Sequence, residues 1–171
     1  SDVYKRQEVE HLIENGCRNI AMLSGKKTAQ VSERRECGYR RALEKYGLHI
    51  REEWIEDCLF DQKTAVQKSI ELKKSYPEID AFFCVSDGVA IGAIEGMGQL
   101  GVRVPDDVAI AGFDDYTVSQ YIHGGITSIK QYPYKMGVAC ANTVISMIEG
   151  NRVPDWIPME YKLMKRASTK K

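Results

Sequence analysis

A chain of 171 residues, 43% hydrophobic and 28% charged, has the composition of one soluble globular domain, which excludes disordered, collagenous and disulfide-scaffold classes. Its 24 basic side chains balance 24 acidic ones, so no basic field draws it to DNA or to an anionic membrane. No run of about 18 apolar residues is present to span a bilayer, and the spread of Cys17, Cys37, Cys58, Cys84 and Cys140 fits neither a metal site nor a C-x-x-C pair.

Those cysteines read as small buried apolar side chains in a reducing compartment. Residues 1–7 are polar, lack a start Met and match nothing downstream; they read as a truncation or cloning scar, unlike a signal peptide. Val9, Leu12 and Ile13 recur at helical spacing before Gly16, which predicts a short helix ending at Asn15. Residues 19–25 form an apolar run too short for a helix and read as a buried strand. Ser32 is placed to cap a helix carrying Tyr39, Leu43 and Tyr46 and closed by Gly47.

Residues 54–60 read as a second, charge-interrupted strand. The capping-box pattern from Thr64 to Gln67 then opens a helix that runs to Lys73 and Lys74 before Pro77. Residues 79–85 form a third strand, after which Ser86 and Asp87 open a helix to Leu100 capped by Gly101. Gly88, Gly92 and Gly96 recur every four residues on that helix, and close packing rather than a ligand role accounts for them. A fourth strand spans 108–113 and a fifth 126–130; Pro133 starts a long helix capped by Gly150, and 157–165 is the last strand.

Strands alternating with helices give an α/β fold with a doubly wound parallel sheet, whose ligand lies beyond the carboxyl ends of the strands. The residues that follow each strand are Ser24-Gly25, Phe60-Asp61, Ser86-Asp87, Asp114-Asp115 and Gln131. Carboxylates, an amide, a hydroxyl and one ring on one edge suit a small polyhydroxylated ligand, although Asp87 and Asp115 could equally serve as cap or turn residues.

Catalytic readings find no support. Gly25-Lys26-Lys27-Thr28 departs from a phosphate-binding loop at Ile20 and Lys27, and His11, His49 and His123 lie in no catalytic motif and read as surface or cap residues. Asp114 and Asp115 are neighbours at a strand end, so their side chains diverge, unlike the facing carboxylates of glycoside hydrolysis. No metal or cofactor is expected.

Residues 10–21, the stretch Arg35-Glu36-Cys37-Gly38-Tyr39-Arg40-Arg41-Ala42-Leu43, and above all residues 101–115 followed by Thr127-Ser128-Ile129-Lys130-Gln131, are similar to the sensor core of the LacI/GalR transcription regulators. The resemblance covers residues 8–168. It implies a cytoplasmic, periplasmic-binding-protein-like sensor of two lobes, in which a small effector, expected to be sugar-like, closes the lobes. A homodimer would pass that closure to an N-terminal helix-turn-helix on operator DNA. The helix-turn-helix and most of the first lobe are absent from these 171 residues.

By the same resemblance Arg35, Phe60, Ser86, Asp114 and Gln131 contact the effector, with Asp87 beside them. Ile91, Glu95, Tyr121 and Ile122 fall on the dimer surface. Residues 8–130 and 156–168 make the C-terminal lobe, 131–155 a crossover and helix of the other lobe, and 169–171 a tail. Cys17, Gly124-Gly125, Ala29 and Val31 depart from the family pattern. The alternative is an exported solute-binding protein of a sugar transporter, against which the cysteines and the segment from Arg103 to Val108 argue.

Overall fold

The computed structural model describes residues 3–170, with side chains from Arg6 onward. Eleven principal elements follow in chain order: α1 (Val3–Glu14), β1 (Ile20–Ser24), α2 (Gln30–Lys45), β2 (Ile55–Asp57), α3 (Gln62–Ser75), β3 (Ala81–Cys84), α4 (Asp87–Gln99), β4 (Ala109–Asp114), β5 (Thr127–Gln131), α5 (Pro133–Ile148) and β6 (Tyr161–Met164). The six strands form one sheet in the order β2-β1-β3-β4-β5-β6. The first five are parallel and β6 runs antiparallel to β5.

The central strands β1, β3 and β4 are covered on both faces, which is why they are almost wholly apolar rather than alternating. Along β1, Ile20 and Met22 point to the face under α1 and α2, with Phe83, Ala111, Tyr39 and Leu12. Ala21 and Leu23 point to the opposite face under α3 and α4, with Phe82, Ile110, Val89 and Met97. Each fully buried large side chain of this kind contributes roughly 1.5–3 kcal/mol. Strand order reverses between β1 and β3, so a crevice opens at their carboxyl ends, where doubly wound sheets bind ligands.

Helices α3 and α4 approach closely because α4 presents glycine. A Cβ on Gly92 would stand 2.4 Å from the carbonyl oxygen of Gln62, and one on Gly96 2.3 Å from Ser69 Oγ. Gly88, expected to pack in the same way, meets nothing nearer than Ser86 Oγ at 3.8 Å and does not serve the contact.

Several local expectations are corrected. Helix α1 begins at Val3, so it runs through the segment set aside as a scar; Ser1, Asp2 and Lys171 lie outside the described residues. Ser32 does not cap α2, which starts two residues earlier with Ala29 at the cap and no side-chain acceptor. Asp61, not Thr64, caps α3: its carboxylate accepts from Thr64 N at 2.7 Å and from the Thr64 hydroxyl at 2.8 Å. Trp54 sits in a 3-10 turn, which shortens β2 to three residues, and β6 is half the length expected.

Thr169 is buried rather than part of a tail. Its hydroxyl meets His11 Nε2 at 2.9 Å and Thr127 Oγ1 at 2.7 Å, so His11 is a buried residue and not a surface one. Burial, then the nearby charge of Lys165, holds the His11 imidazole below its ordinary range. Cys17, Cys58 and Cys84 are buried as expected, whereas Cys37 is half-buried and Cys140 exposed.

Candidate functional site

At the carboxyl edge of the sheet Asp114 ends β4 with φ 103, a backbone conformation that turns the chain sharply. Its Oδ1 takes two donors: Arg35 Nη2 at 3.1 Å and Gln131 Nε2 at 2.7 Å. Arg35 comes from α2, and the helix places it so that Nη1 donates to the carbonyl oxygen of Val85. The flat guanidinium lies 3.8 Å above the centre of the Phe113 ring. A planar fork held by two acceptors and one aromatic face is fixed before any ligand arrives.

Arg35, Phe113 and Gln131 line a cleft of ≈ 220 Å³ together with Gln30, Val31 and Arg34. The strand-end rule missed Arg34 and Phe113. Phe113 carried a signal, since period two along β4 puts it on the α2 face with Ala109 and Ala111.

Phe60 stands at the rim, 38% exposed, in a left-handed turn with Leu59. Its ring covers Gly25 so closely that a Cβ there would come within 2.2 Å of it. Ser86 is buried, and its hydroxyl accepts from Val89 N at 3.4 Å as the cap of α4. The structure thus gathers Arg35, Asp114 and Gln131 into one bonded unit, with Phe60 and Ser86 on the same sheet edge but outside it.

Asp87 does not join them. Its carboxylate is buried and accepts from Tyr116 N at 2.7 Å, the Ser119 hydroxyl at 2.6 Å and the Ser128 hydroxyl at 2.7 Å. It ties α4 to β5 and to the loop after β4, with three protein donors already on its two oxygens. Burial raises its pKa despite those three donors. Asp115 diverges from Asp114 as expected and pairs with Arg166 at 2.6 Å. Tyr116 also belongs to this region: burial first, then the charge of Asp114, raises its phenol.

On the other surface, Glu95 is exposed and Tyr121 is 78% exposed, while Ile91 and Ile122 are half-buried and pack against the same core cluster. Among the described residues no His, Cys, Asp or Glu group is placed to hold a metal ion, and no helix is long and apolar enough to cross a membrane.

Residues 9–169 match the family model of the periplasmic binding protein-like domain. Over 164 residues the chain is 29% identical to the HTH-type transcriptional repressor PurR of Actinobacillus pleuropneumoniae serotype 3 (strain JL03), covering 94% of this chain and 49% of that protein. A solved transcriptional regulator CelR–cellobiose complex superposes with a TM-score of 0.92 at 33% identity, covering 98% of this chain and 51% of the other. A LacI-family regulatory protein from Chloroflexus aggregans superposes with a TM-score of 0.91 at 29% identity, covering 98% and 60% respectively. The chain spans about half the length of the curated relatives it matches.

Proposed function

Because the chain belongs to the periplasmic binding protein-like domain family, we propose that it is the effector-sensing part of a LacI-family transcription regulator, binding a small sugar-like solute without transforming it. The observation that carries this reading is the Arg35–Asp114–Gln131 unit at the carboxyl edge of the sheet. Asp114 accepts hydroxyl protons, the Arg35 fork donates to vicinal oxygens, and Phe60 offers a ring to an apolar sugar face. The cellobiose bound to one structural relative supports this ligand class.

The cleft described is one wall of such a site. The other wall belongs to a second lobe, and α5, none of whose residues is buried, is the part of this chain that joins it. An effector touching both walls stabilises the closed arrangement only by its extra contacts there, and that difference is what a dimer passes to an operator-binding segment. Catalysis is not part of the reading, since Asp114 and Asp115 point apart and face no substrate together. The regulator acts in the cytoplasm as a homodimer.

The test is a calorimetric screen of monosaccharides and disaccharides against the complete regulator, this chain joined to the half that its relatives carry. A saturable hit lost in Asp114→Ala supports the reading. Binding that survives Asp114→Ala overturns it.

A further inference from the structure

A second groove lies away from the cleft, along the far side of α2 where that helix faces the β2 edge of the sheet. Its volume is ≈ 610 Å³, within the range that small-molecule sites occupy. Ser32 lines it. This residue is 1% exposed, and its hydroxyl has no hydrogen-bond partner among the described residues. A buried hydroxyl without a partner costs about 1–3 kcal/mol, so an incoming polar ligand that satisfied it would gain that much discrimination over an apolar one.

The charges around Ser32 decide the ligand class. Lys27, Arg40 and Arg41 line the groove with four glutamates, so a dianion or a dication would each meet several like charges. Arg40 is already engaged, its Nη2 bonded to Glu52 Oε2 at 2.6 Å and its Nε to Glu36 Oε1 at 2.9 Å. No aromatic ring lines the groove, which disfavours a nucleobase or a stacked pyranose.

What remains is polar in an ordered way. Lys27 and Ser32 lie at the start of α2, where Ala29 supplies no side-chain cap and the first-turn N–H groups add positive potential. Glu36 stands one turn further on the same face, about 5–6 Å away along the helix surface. Lys27 and the helix start on one side, with the carboxylate of Glu33 beside Ser32 and that of Glu36 one turn along, match the two charges of an α-amino acid.

We propose that this groove binds a small zwitterion of the α-amino-acid class. The ligand carboxylate lies against the Ser32 hydroxyl and Lys27, and its ammonium lies between Glu33 and Glu36. The site stands apart from the cleft and holds whatever the cleft binds. It shares α2 with it, however, since Arg35 stands one turn from Ser32 on the same helix. Whatever factor a ligand at Ser32 imposes on cleft affinity, cleft occupancy imposes on groove affinity.

Cys37 lines the groove and is half-buried, so its alkylation reports occupancy there and nowhere else. The experiment uses the full chain with Cys140→Ser, to remove the exposed thiol, and Ile145→Lys with Ile148→Lys, to keep it dispersed. Iodoacetamide labelling of Cys37 is followed with L-alanine, L-glutamate, L-lysine, glucose or inorganic phosphate present. At ten times its dissociation constant a ligand leaves about a tenth of the sites empty, so at least one amino acid slows labelling about tenfold and saturably. That protection disappears in Ser32→Ala, which melts at or above the parent because the unpartnered hydroxyl is gone, and in Glu36→Gln, which melts as the parent does. No protection by any amino acid, equal protection by phosphate, or protection that persists in both variants overturns the proposal.

Discussion

Arg35 Nη2 and Asp114 Oδ1 meet at 3.1 Å, and this one contact joins α2 to the end of β4 across the mouth of the crevice. The same guanidinium reaches Val85 at the end of β3 and lies flat on Phe113. A lysine keeps the charge but cannot reach two acceptors and cover a ring at once. Arg35→Lys should therefore weaken effector binding to the complete regulator by at least about tenfold and cost this chain about 1–3 kcal/mol. Calorimetry and urea unfolding measure the two effects, and parent-like values for both would show that the fork is not needed.

Burial, and after it the charge of Asp87, holds the Glu8 carboxyl well above the ordinary carboxylate range. Its Oε1 accepts from Ile129 N at 3.1 Å, and Oε2 has no partner among the described residues. The folded chain keeps a proton that the unfolded chain releases near 4.5, so this group's contribution is present below that pH and is lost as pH rises through the raised value. Glu8→Gln removes the titration while keeping an acceptor for Ile129. Melting temperatures between pH 5 and 8 should fall with rising pH in the parent and fall less in the variant; parallel profiles would contradict this.

The β-α alternation and the strand-end list were legible in the sequence because both follow from burial on two faces and from the crossover rule. The direction of individual side chains was not. Asp87 follows β3 and Asp114 ends β4, yet one turns under α4 to three protein donors and the other to Arg35 and Gln131, which line the cleft. The starts of α2 and α3, unlike those of α4 and α5, were misplaced for a related reason: Thr28, Ser32, Asp61 and Thr64 are all competent caps, and the point at which the chain leaves the sheet decides among them. His11 was misplaced because its partners, Thr169 and Asn15, include one 158 residues away.

Helix α5 carries Met136, Val144, Ile145, Met147 and Ile148 into solvent, the last 81% exposed, and Trp156 lies beside them. A patch of this kind on an isolated chain drives association. Sedimentation of the 171-residue chain should show concentration-dependent oligomers, and Ile145→Lys with Ile148→Lys should return it to monomer. A monodisperse parent monomer would mean that α5 is adequately solvated as it stands.

Tyr121 and Ile122 are neighbours with opposite expectations. Tyr121 is almost wholly outside, whereas Ile122 packs against the cluster that holds Val104 and Ile126. If this segment is the dimer surface, Tyr121→Glu should weaken dimers of the complete regulator by about tenfold or more without changing its melting temperature. Ile122→Glu should instead lower the melting temperature, because a charge enters the core rim. Sedimentation and melting separate the two, and a Tyr121→Glu protein that dimerises as the parent does would refute the assignment.

Gly25 and Phe60 meet on the same edge of the sheet as the cleft, and their contact leaves no room for a side chain. A Cβ on Gly25 would lie 2.2, 2.3 and 2.8 Å from three carbons of the Phe60 ring, so the ring must move. Phe60 is on a turn with φ 58 and half in solvent, so it can swing away at little cost to the fold. Gly25→Ala should then leave unfolding within about 1 kcal/mol of the parent while reducing effector affinity as far as Phe60→Ala does. The double variant should be no weaker than either single change, since both remove the same ring from the same ligand face. Additive losses in calorimetry would show that Gly25 acts on the effector by some route other than the ring.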